Sequence, residues 1–334
     1  MNATDSELVY LIPGQGGDPR GVLRGLYRAE AWMRSAIDEV CAQVDPVGAG
    51  YGLPPVGDVL LTEHRIPVAY GMAPLAAYTA SVALHRILID AGVRPTCVIG
   101  QSFGEIATLV CAGAFTVAEG ATAVCALNEA FRIALGKGGM VLLRAPLADT
   151  EKILARLGRP DLVVACVDSP DETIVGGPSD AVDALLALRD RDRDADSDPD
   201  REPECAAGEI PPLHRLAVPY ASHHPDLTPV AERFRARLEP LQQRPLVCRD
   251  ISPVRRRAYT DADDLRDALA DCVVKPVQLI EAFESLSVAD HVFIEIGIGA
   301  GLCRCAGATL PGARTLAPLA DPAAAHDVLR ALIP

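Results

Sequence analysis

The sequence has no excess of positive charge. Its 334 residues include 31 lysines and arginines against 45 aspartates and glutamates, which gives a formal net charge of −14. A protein that binds nucleic acid in general needs a basic surface to neutralise the phosphates. The charge balance therefore argues against a nucleic-acid partner.

The sequence also shows no pattern typical of a leader and no long apolar run. No cationic start followed by an apolar segment opens the chain, and no apolar run approaches the roughly 18 residues of a membrane span. The ten cysteines are scattered, and Cys303 and Cys305 have no second ligand pair with which to form a zinc site. We therefore expect a soluble, reduced, cytoplasmic protein with no membrane segment and no bound metal.

The pattern of short apolar strands and longer helices predicts an α/β fold. Strands alternate with helices up to about residue 135, which is typical of a parallel sheet covered on both faces. After Gly136-Lys137-Gly138-Gly139 the order becomes strand, helix, strand, strand, helix, strand, as in a ferredoxin-like unit. We predict a large α/β-hydrolase-like domain (1–137 and 215–334) with an inserted small ferredoxin-like α+β domain (138–214).

One segment of the small domain is strongly charged. Residues 189–202 alternate in charge and lack apolar positions. Such a segment cannot contribute to a core, so we predict a solvated acidic loop over 189–205.

A candidate nucleophile lies in Gly100-Gln101-Ser102-Phe103-Gly104, between an apolar run and an alanine-rich stretch. This is Gly-x-Ser-x-Gly in a strand–turn–helix setting, the pattern of a nucleophile elbow. The glycines let strand and helix approach closely, and the helix N-terminus favours developing negative charge. The alternative is a turn of small residues through which a helix merely leaves a sheet. The context favours Ser102 as a nucleophile.

A serine hydroxyl needs a base to become a good nucleophile. Two of the seven histidines, His223 and His224, are adjacent at the predicted return from the small domain. Concave sites often form where domains meet, so both histidines are candidate bases.

Nine short segments, spread in order along nearly the whole chain, resemble the motifs of one protein family. They are Pro13-Gly14-Gln15-Gly16, Gly92-Val93-Arg94-Pro95, Gly100-Gln101-Ser102-Phe103-Gly104-Glu105, Cys111-Ala112-Gly113-Ala114, Gly136-Lys137-Gly138-Gly139-Met140, Asp168-Ser169-Pro170, Tyr220-Ala221-Ser222-His223, Lys275-Pro276-Val277-Gln278 and Glu295-Ile296-Gly297. In these segments the chain resembles malonyl-CoA:acyl-carrier-protein transacylases and the acyltransferase domains of polyketide synthases.

The resemblance implies a role for each site residue. Ser102 carries the acyl group as an ester, and His223, rather than His224, serves as general base and then as acid. A backbone carbonyl at the position of Gln278 orients the histidine, so no acidic third member is needed.

The resemblance also implies an oxyanion hole and a set of partners. Gln15 lies in the loop that helps to form the hole, and the backbone N–H of Phe103 is the second donor. The partners are donor and acceptor acyl carrier proteins or a polyketide synthase module. They supply the phosphopantetheine arm, so the chain itself needs no cofactor. We expect a monomer.

Departures from the family pattern bear on the substrate. Relatives that take malonyl groups hold the free carboxylate with an arginine, and Leu127 stands at that position. An arginine–carboxylate pair in a dry pocket is worth about 2–4 kcal/mol, so its absence predicts discrimination of about a hundredfold or more against dicarboxylic acyl groups. The alternative is that Arg132 or another arginine reaches the pocket.

A second departure is Gln101, where relatives usually carry histidine. Glutamine cannot carry a positive charge, which agrees with a neutral or amine-bearing acyl group. We predict that Gln101, Leu127, Asn128, Tyr220 and Ser222 line the substrate pocket.

The sequence therefore predicts an acyltransferase of polyketide, and so antibiotic, biosynthesis. It would move an acyl group that lacks a free carboxylate (aminoacyl, dipeptidyl or other monocarboxylic) between carrier proteins. The alternatives are a malonyl-CoA or alkylmalonyl-CoA transacylase, a hydrolase that removes acyl groups from carriers, and a non-catalytic scaffold that binds carriers.

Overall fold

The computed structural model describes residues 7–62, 64, 67–195, 210–286 and 291–333. Its strands are β1 Glu7–Ile12, β2 Cys97–Gly100, β3 Gly138–Leu143, β4 Val163–Ser169, β5 Glu172–Pro178, β6 Leu213–Arg215, β7 Arg249–Ser252, β8 Arg257–Ala258, β9 Val277–Gln278, β10 His291–Glu295 and β11 Arg314–Leu316. Its α-helices are α1 Arg24–Ala29, α2 Ala31–Gly50, α3 Gly57–Leu60, α4 Met72–Asp90, α5 Gly104–Cys111, α6 Val117–Phe131, α7 Leu147–Leu157, α8 Ser179–Ala195, α9 Thr228–Leu238, α10 Leu265–Val274, α11 Leu279–Glu284, α12 Gly301–Thr309 and α13 Ala325–Arg330.

The larger sheet has six strands in the order β11-β10-β1-β2-β7-β8. All its pairs are parallel except the last, in which β7 and β8 run antiparallel. The central strand β2 is buried at all four positions, as expected where helices cover both faces of a parallel sheet. The predicted α/β fold with a parallel sheet is confirmed.

The smaller sheet has five strands in the order β6-β3-β5-β4-β9. Along the chain its first four strands and their helices follow the predicted order, β3-α7-β4-β5-α8-β6. The fifth strand, β9, comes from the later part of the chain and pairs parallel with β4. This two-residue strand was not predicted, and the proposed domain limits remain a prediction.

The charged segment is partly helical, which corrects the expectation of a loop over 189–205. Helix α8 continues to Ala195. No glycine or proline interrupts the chain from Ser179 to Asp198, so nothing in the local sequence ends the helix at residue 189. Residues 196–205 lie outside the described residues.

Helix α4 is long and apolar enough, by length and composition alone, to cross a membrane. It contains no unbroken apolar run of that length, since His85 and Arg86 interrupt it. Most of α4 is buried, and it packs against α2, α5 and α6. This is the pattern of a core helix, and the absence of a membrane segment remains a prediction.

Candidate active site

Ser102 lies on a tight turn between β2 and α5. Its φ is +56°, a left-handed conformation that is uncommon for a residue with a side chain. A Cβ atom at Gly100 would lie 2.7 Å from the backbone nitrogen of Glu105, and one at Gly104 would lie 2.2 Å from the carbonyl oxygen of Ile12. Only glycine fits at either position. The turn therefore has the geometry of a nucleophile elbow.

His223 faces this serine. Its Nε2 lies 2.7 Å from the Oγ of Ser102, and its Nδ1 lies 2.9 Å from the carbonyl oxygen of Lys275. Because a carbonyl can only accept, Nδ1 carries the proton and Nε2 is free to accept one from the serine. The backbone N–H of His223 donates to the carbonyl of Val273 at 2.8 Å. The end of α10 thus holds both the backbone and the ring of this histidine.

His223 is suited to act as a base because it is neutral. The side chain is almost completely buried. Burial lowers its pKa to about 4, since a charged imidazolium would lose its hydration there, while the hydrogen bond to Lys275 raises the pKa. At neutral pH the ring can therefore take up a proton.

The neighbouring His224 points elsewhere. Its Nε2 lies 3.1 Å from the carbonyl oxygen of Asp161, and its Nδ1 accepts the backbone N–H of Asp226 at 3.2 Å. The geometry therefore selects His223 from the two candidate bases.

Ser102 lies where two spaces meet. One is an open cleft of about 660 Å³, lined also by Gln101, His223 and Arg304. The other is a small, more enclosed cavity of about 20 Å³. Its lining residues are Gln15, Ser102, Phe103, Ile106, Leu127, Phe131, Ser222, Phe234, Leu269, Cys272 and Val273. No lysine, arginine, aspartate or glutamate is among these described residues, so the cavity is uncharged.

The glycine-rich loop after β1 approaches the elbow from the other side. A Cβ atom at Gly14 would lie 3.3 Å from the carbonyl oxygen of Gln101, so this approach is close. Among the described residues, the backbone N–H groups of Gln15 and Phe103 have no hydrogen-bond acceptor. Both residues also line the small cavity beside Ser102. Two unused donors therefore lie near the serine.

Comparison with known proteins agrees with this geometry. Residues 9–197 match the acyl transferase domain family. The chain belongs to this acyltransferase family. It is 29% identical over 243 residues to the spectinabilin polyketide synthase system protein NorA' of Streptomyces orinoci, a match that covers 71% of this chain. The same match spans only 6% of that much longer relative.

Solved acyltransferases share the fold. A malonyl-CoA–acyl carrier protein transacylase of Coxiella burnetii superimposes with a TM-score of 0.81 at 22% identity, covering 100% of this chain and 98% of that one. A loading acyltransferase of the avermectin modular polyketide synthase gives a TM-score of 0.79 at 22% identity, covering 97% and 98%. At these identities the likeness shows the fold alone.

The prediction that the backbone carbonyl of Gln278 orients His223 is wrong by three residues. The acceptor is the carbonyl of Lys275, whereas Gln278 lies in β9 and its N–H donates to the carbonyl of Pro253 at 3.0 Å. Lys275 ends α10 in an extended conformation, and Pro276 follows it. A carbonyl at a helix end has no partner within the helix, which leaves this one free for the imidazole of His223.

Two of the five predicted pocket residues do not line either space. Asn128 donates from its amide to the carbonyl of Gly71 at 3.3 Å, because successive helical residues point about 100° apart and Leu127 takes the cavity side. The ring of Tyr220 stacks on Phe131, at 3.9 Å between centroids and 14° between planes. Gln101, Leu127 and Ser222 do line the spaces beside Ser102.

Arg132 does not reach the cavity. Its guanidinium pairs with Glu129 and lies 4.9 Å from the centroid of the Tyr70 ring, on the side of α6 where Asn128 lies. The alternative in which Arg132 replaces the missing arginine therefore has no support in the described geometry, whereas Arg304 does line the open cleft together with Ser102.

Several residues of the cavity wall could not be predicted from the sequence. Phe234 and Leu269 come from α9 and α10, more than a hundred positions beyond Ser102, and belong to no motif. Asp168, a buried carboxyl that contacts the side chain of Gln101, was not predicted as a site residue either. Burial raises the pKa of Asp168 to about 7, and the contact with Gln101 lowers it. The only signal for Asp168 was its place in a family segment.

Proposed function

We propose that this protein transfers an acyl group without a free carboxylate from one phosphopantetheine thiol to another, through an ester on Ser102. The Oγ of Ser102 attacks the thioester carbonyl while its proton passes to the Nε2 of His223. The donor thiol leaves with that proton. In the second half the acceptor thiol gives its proton to His223 and its sulfur attacks the ester. The acyl group passes to that sulfur, and the serine oxygen leaves with the proton from His223.

Backbone donors would stabilise the charge that develops on the carbonyl oxygen. The N–H groups of Gln15 and Phe103 are without acceptors in the described part of the chain, and both residues lie beside Ser102. Such preorganised donors usually supply the largest share of catalysis in acyl transfer. The Lys275 carbonyl supports the same mechanism, since it fixes the His223 ring with its proton on Nδ1.

The observation that carries the substrate proposal is the uncharged cavity next to Ser102. Leu127 forms part of its wall, and no cation faces it among the described residues. A malonyl carboxylate held against this apolar wall would lose its hydration without gaining a partner there. A loss of about 2.7 kcal/mol corresponds to a hundredfold preference for an uncharged group of the same size.

The proposed partners are acyl carrier proteins of a polyketide pathway. NorA' is described as part of a polyketide synthase system, and the Coxiella burnetii protein as acting on an acyl carrier protein. The open cleft of about 660 Å³ gives a flexible thiol-bearing arm a route to Ser102. Transfer of malonyl groups is the second candidate, because the chain shares its fold with a malonyl transacylase.

A panel of acyl-pantetheine thioesters tests the proposal. The protein is incubated with malonyl, propionyl, aminoacyl and dipeptidyl thioesters, and the adduct is measured by intact mass. We expect an adduct from at least one group without a carboxylate and none in Ser102→Ala. Rapid loss of the adduct without an acceptor thiol would indicate a hydrolase. A malonyl adduct that forms fastest would overturn the substrate proposal.

A further inference from the structure

The loop that carries Gln15 has little rigidity of its own. It reads Pro13-Gly14-Gln15-Gly16-Gly17, and Gly17 has a φ of +91°. Glycine-rich segments lose more conformational freedom on folding than any others. An oxyanion donor, however, must stay aimed to within a fraction of an ångström. A contact from outside the loop is needed to hold Gln15 in place.

Tyr220 provides that contact from 205 residues away. The side-chain amide of Gln15 donates to the Tyr220 hydroxyl oxygen at 2.9 Å, and the same hydroxyl lies 3.3 Å from the amide oxygen. The side chain of Gln15 is therefore occupied, and its backbone N–H is the group left for the substrate. The Tyr220 ring is itself fixed by burial and by stacking on Phe131.

The segment that carries Tyr220 is pinned on both sides. The carbonyl of Pro219 accepts the N–H of Gly136 at 2.8 Å, and the N–H of His223 donates to Val273, also at 2.8 Å. Four residues of chain thus present the hydroxyl of Tyr220 to the oxyanion loop and the imidazole of His223 to the nucleophile. The same short segment of backbone therefore positions both the base and the oxyanion donor.

We propose that the Tyr220 hydroxyl is a positioning group that holds the Gln15 backbone N–H at the oxyanion position. This inference rests on the proposed acyl-transfer function. It differs from a role in substrate choice, because Tyr220 lines neither the cleft nor the small cavity. Its loss should slow the attack by Ser102 and leave the binding of the thioester unchanged.

The test uses a fluorophosphonate probe, which reports on Ser102 whatever acyl group the protein prefers. The serine oxygen attacks phosphorus, fluoride leaves, the hydroxyl proton passes to His223 and the phosphoryl oxygen takes the oxyanion position. We expect Tyr220→Phe, which keeps the stacked ring, to be labelled about tenfold more slowly than the wild type. With the preferred thioester, kcat should fall similarly and KM should stay unchanged.

Tyr70→Phe is the matched control. It removes a hydroxyl of the same kind, which donates to the backbone carbonyl of Asn128 at 2.8 Å and lines neither the cleft nor the small cavity. Its labelling rate should equal that of the wild type. Thermal unfolding of each variant shows whether the fold is kept.

Gln15→Ala removes the same hydrogen bond from the loop side. It provides a second test if Tyr220→Phe fails to fold. It should slow labelling to a similar extent, and adding Tyr220→Phe should cause no further loss. The inference would be overturned if a folded Tyr220→Phe or Gln15→Ala protein were labelled at the wild-type rate. It would also be overturned if the two losses added in the double variant. If the wild type is labelled but no thioester acylates it, the proposed function fails instead.

Discussion

Ser102 and His223 meet at 2.7 Å, and both adopt left-handed backbone conformations, with φ of +56° and +61°. Among the described residues other than glycine, Arg256 is the only other one with a positive φ. Each such conformation costs about 1–2 kcal/mol and persists only where the surroundings enforce it. The two reacting side chains are therefore aimed at each other by strained backbone, which the elbow glycines and the end of α10 maintain.

The first prediction concerns this strain. Ser102→Gly should be about 1 kcal/mol more stable than Ser102→Ala, because glycine adopts a φ of +56° without a steric cost. Denaturant unfolding measures the difference. Ser285 is the control position, since its φ is −71° and alanine should be at least as stable as glycine there. Equal stability of the two Ser102 variants would argue against strain.

The second prediction concerns the glycines of the elbow. Gly104→Ala should cost about 3 kcal/mol or more, or prevent folding, because its Cβ would lie 2.2 Å from the Ile12 carbonyl oxygen. Gly16→Ala is the matched control, since a Cβ there meets nothing within 4 Å. The free energy of unfolding is the measurement. A stable, fully folded Gly104→Ala protein would contradict the close approach of α5 and β1.

The third prediction concerns the cavity wall. Leu127→Arg should raise the rate of malonyl acylation of Ser102 relative to propionyl acylation by about tenfold or more, because it supplies a partner for the carboxylate. Leu127→Met, which keeps the wall apolar, should leave the ratio unchanged. Arg132→Ala should also leave the ratio unchanged, since Arg132 pairs with Glu129 outside the cavity. A loss of malonyl acylation in Arg132→Ala would show that this arginine does reach the substrate.

The fourth prediction concerns pH. Burial lowers the pKa of His223 to about 4, so its basic form should be fully present at pH 6. The rate of Ser102 labelling should therefore fall only as the pH drops toward 4, well below the ordinary histidine value near 6.5. A midpoint near 6.5 in the pH profile would mean that the ring is more hydrated than its burial indicates.

Features built from residues that are neighbours in the sequence could be predicted. The elbow around Ser102 could be predicted because glycines on both sides of a serine, between a strand and a helix, permit few other geometries. The small sheet followed from the order of its apolar segments. The family resemblance chose His223 over His224, and the structure agrees because only His223 contacts the end of α10.

Features that depend on distant contacts could not be read from the sequence. The Lys275 carbonyl, the Phe234 wall and the Tyr220–Gln15 hydrogen bond each join parts of the chain that no local pattern relates. Strand β9 has two residues, too few for a period of two to be visible. Leu127 and Asn128 were both predicted to line the pocket, although a helix turns neighbours to different sides.

A direct competition between two thioesters tests whether the uncharged wall beside Ser102 excludes a substrate carboxylate. Malonyl-pantetheine and propionyl-pantetheine, whose acyl groups end in a carboxylate and a methyl group respectively, are mixed in equal amounts with the protein. The ratio of the two Ser102 adducts is then read by intact mass at early times. We expect an excess of the propionyl adduct of about a hundredfold. A malonyl adduct that equals or exceeds the propionyl adduct would show that the wall does not exclude a carboxylate.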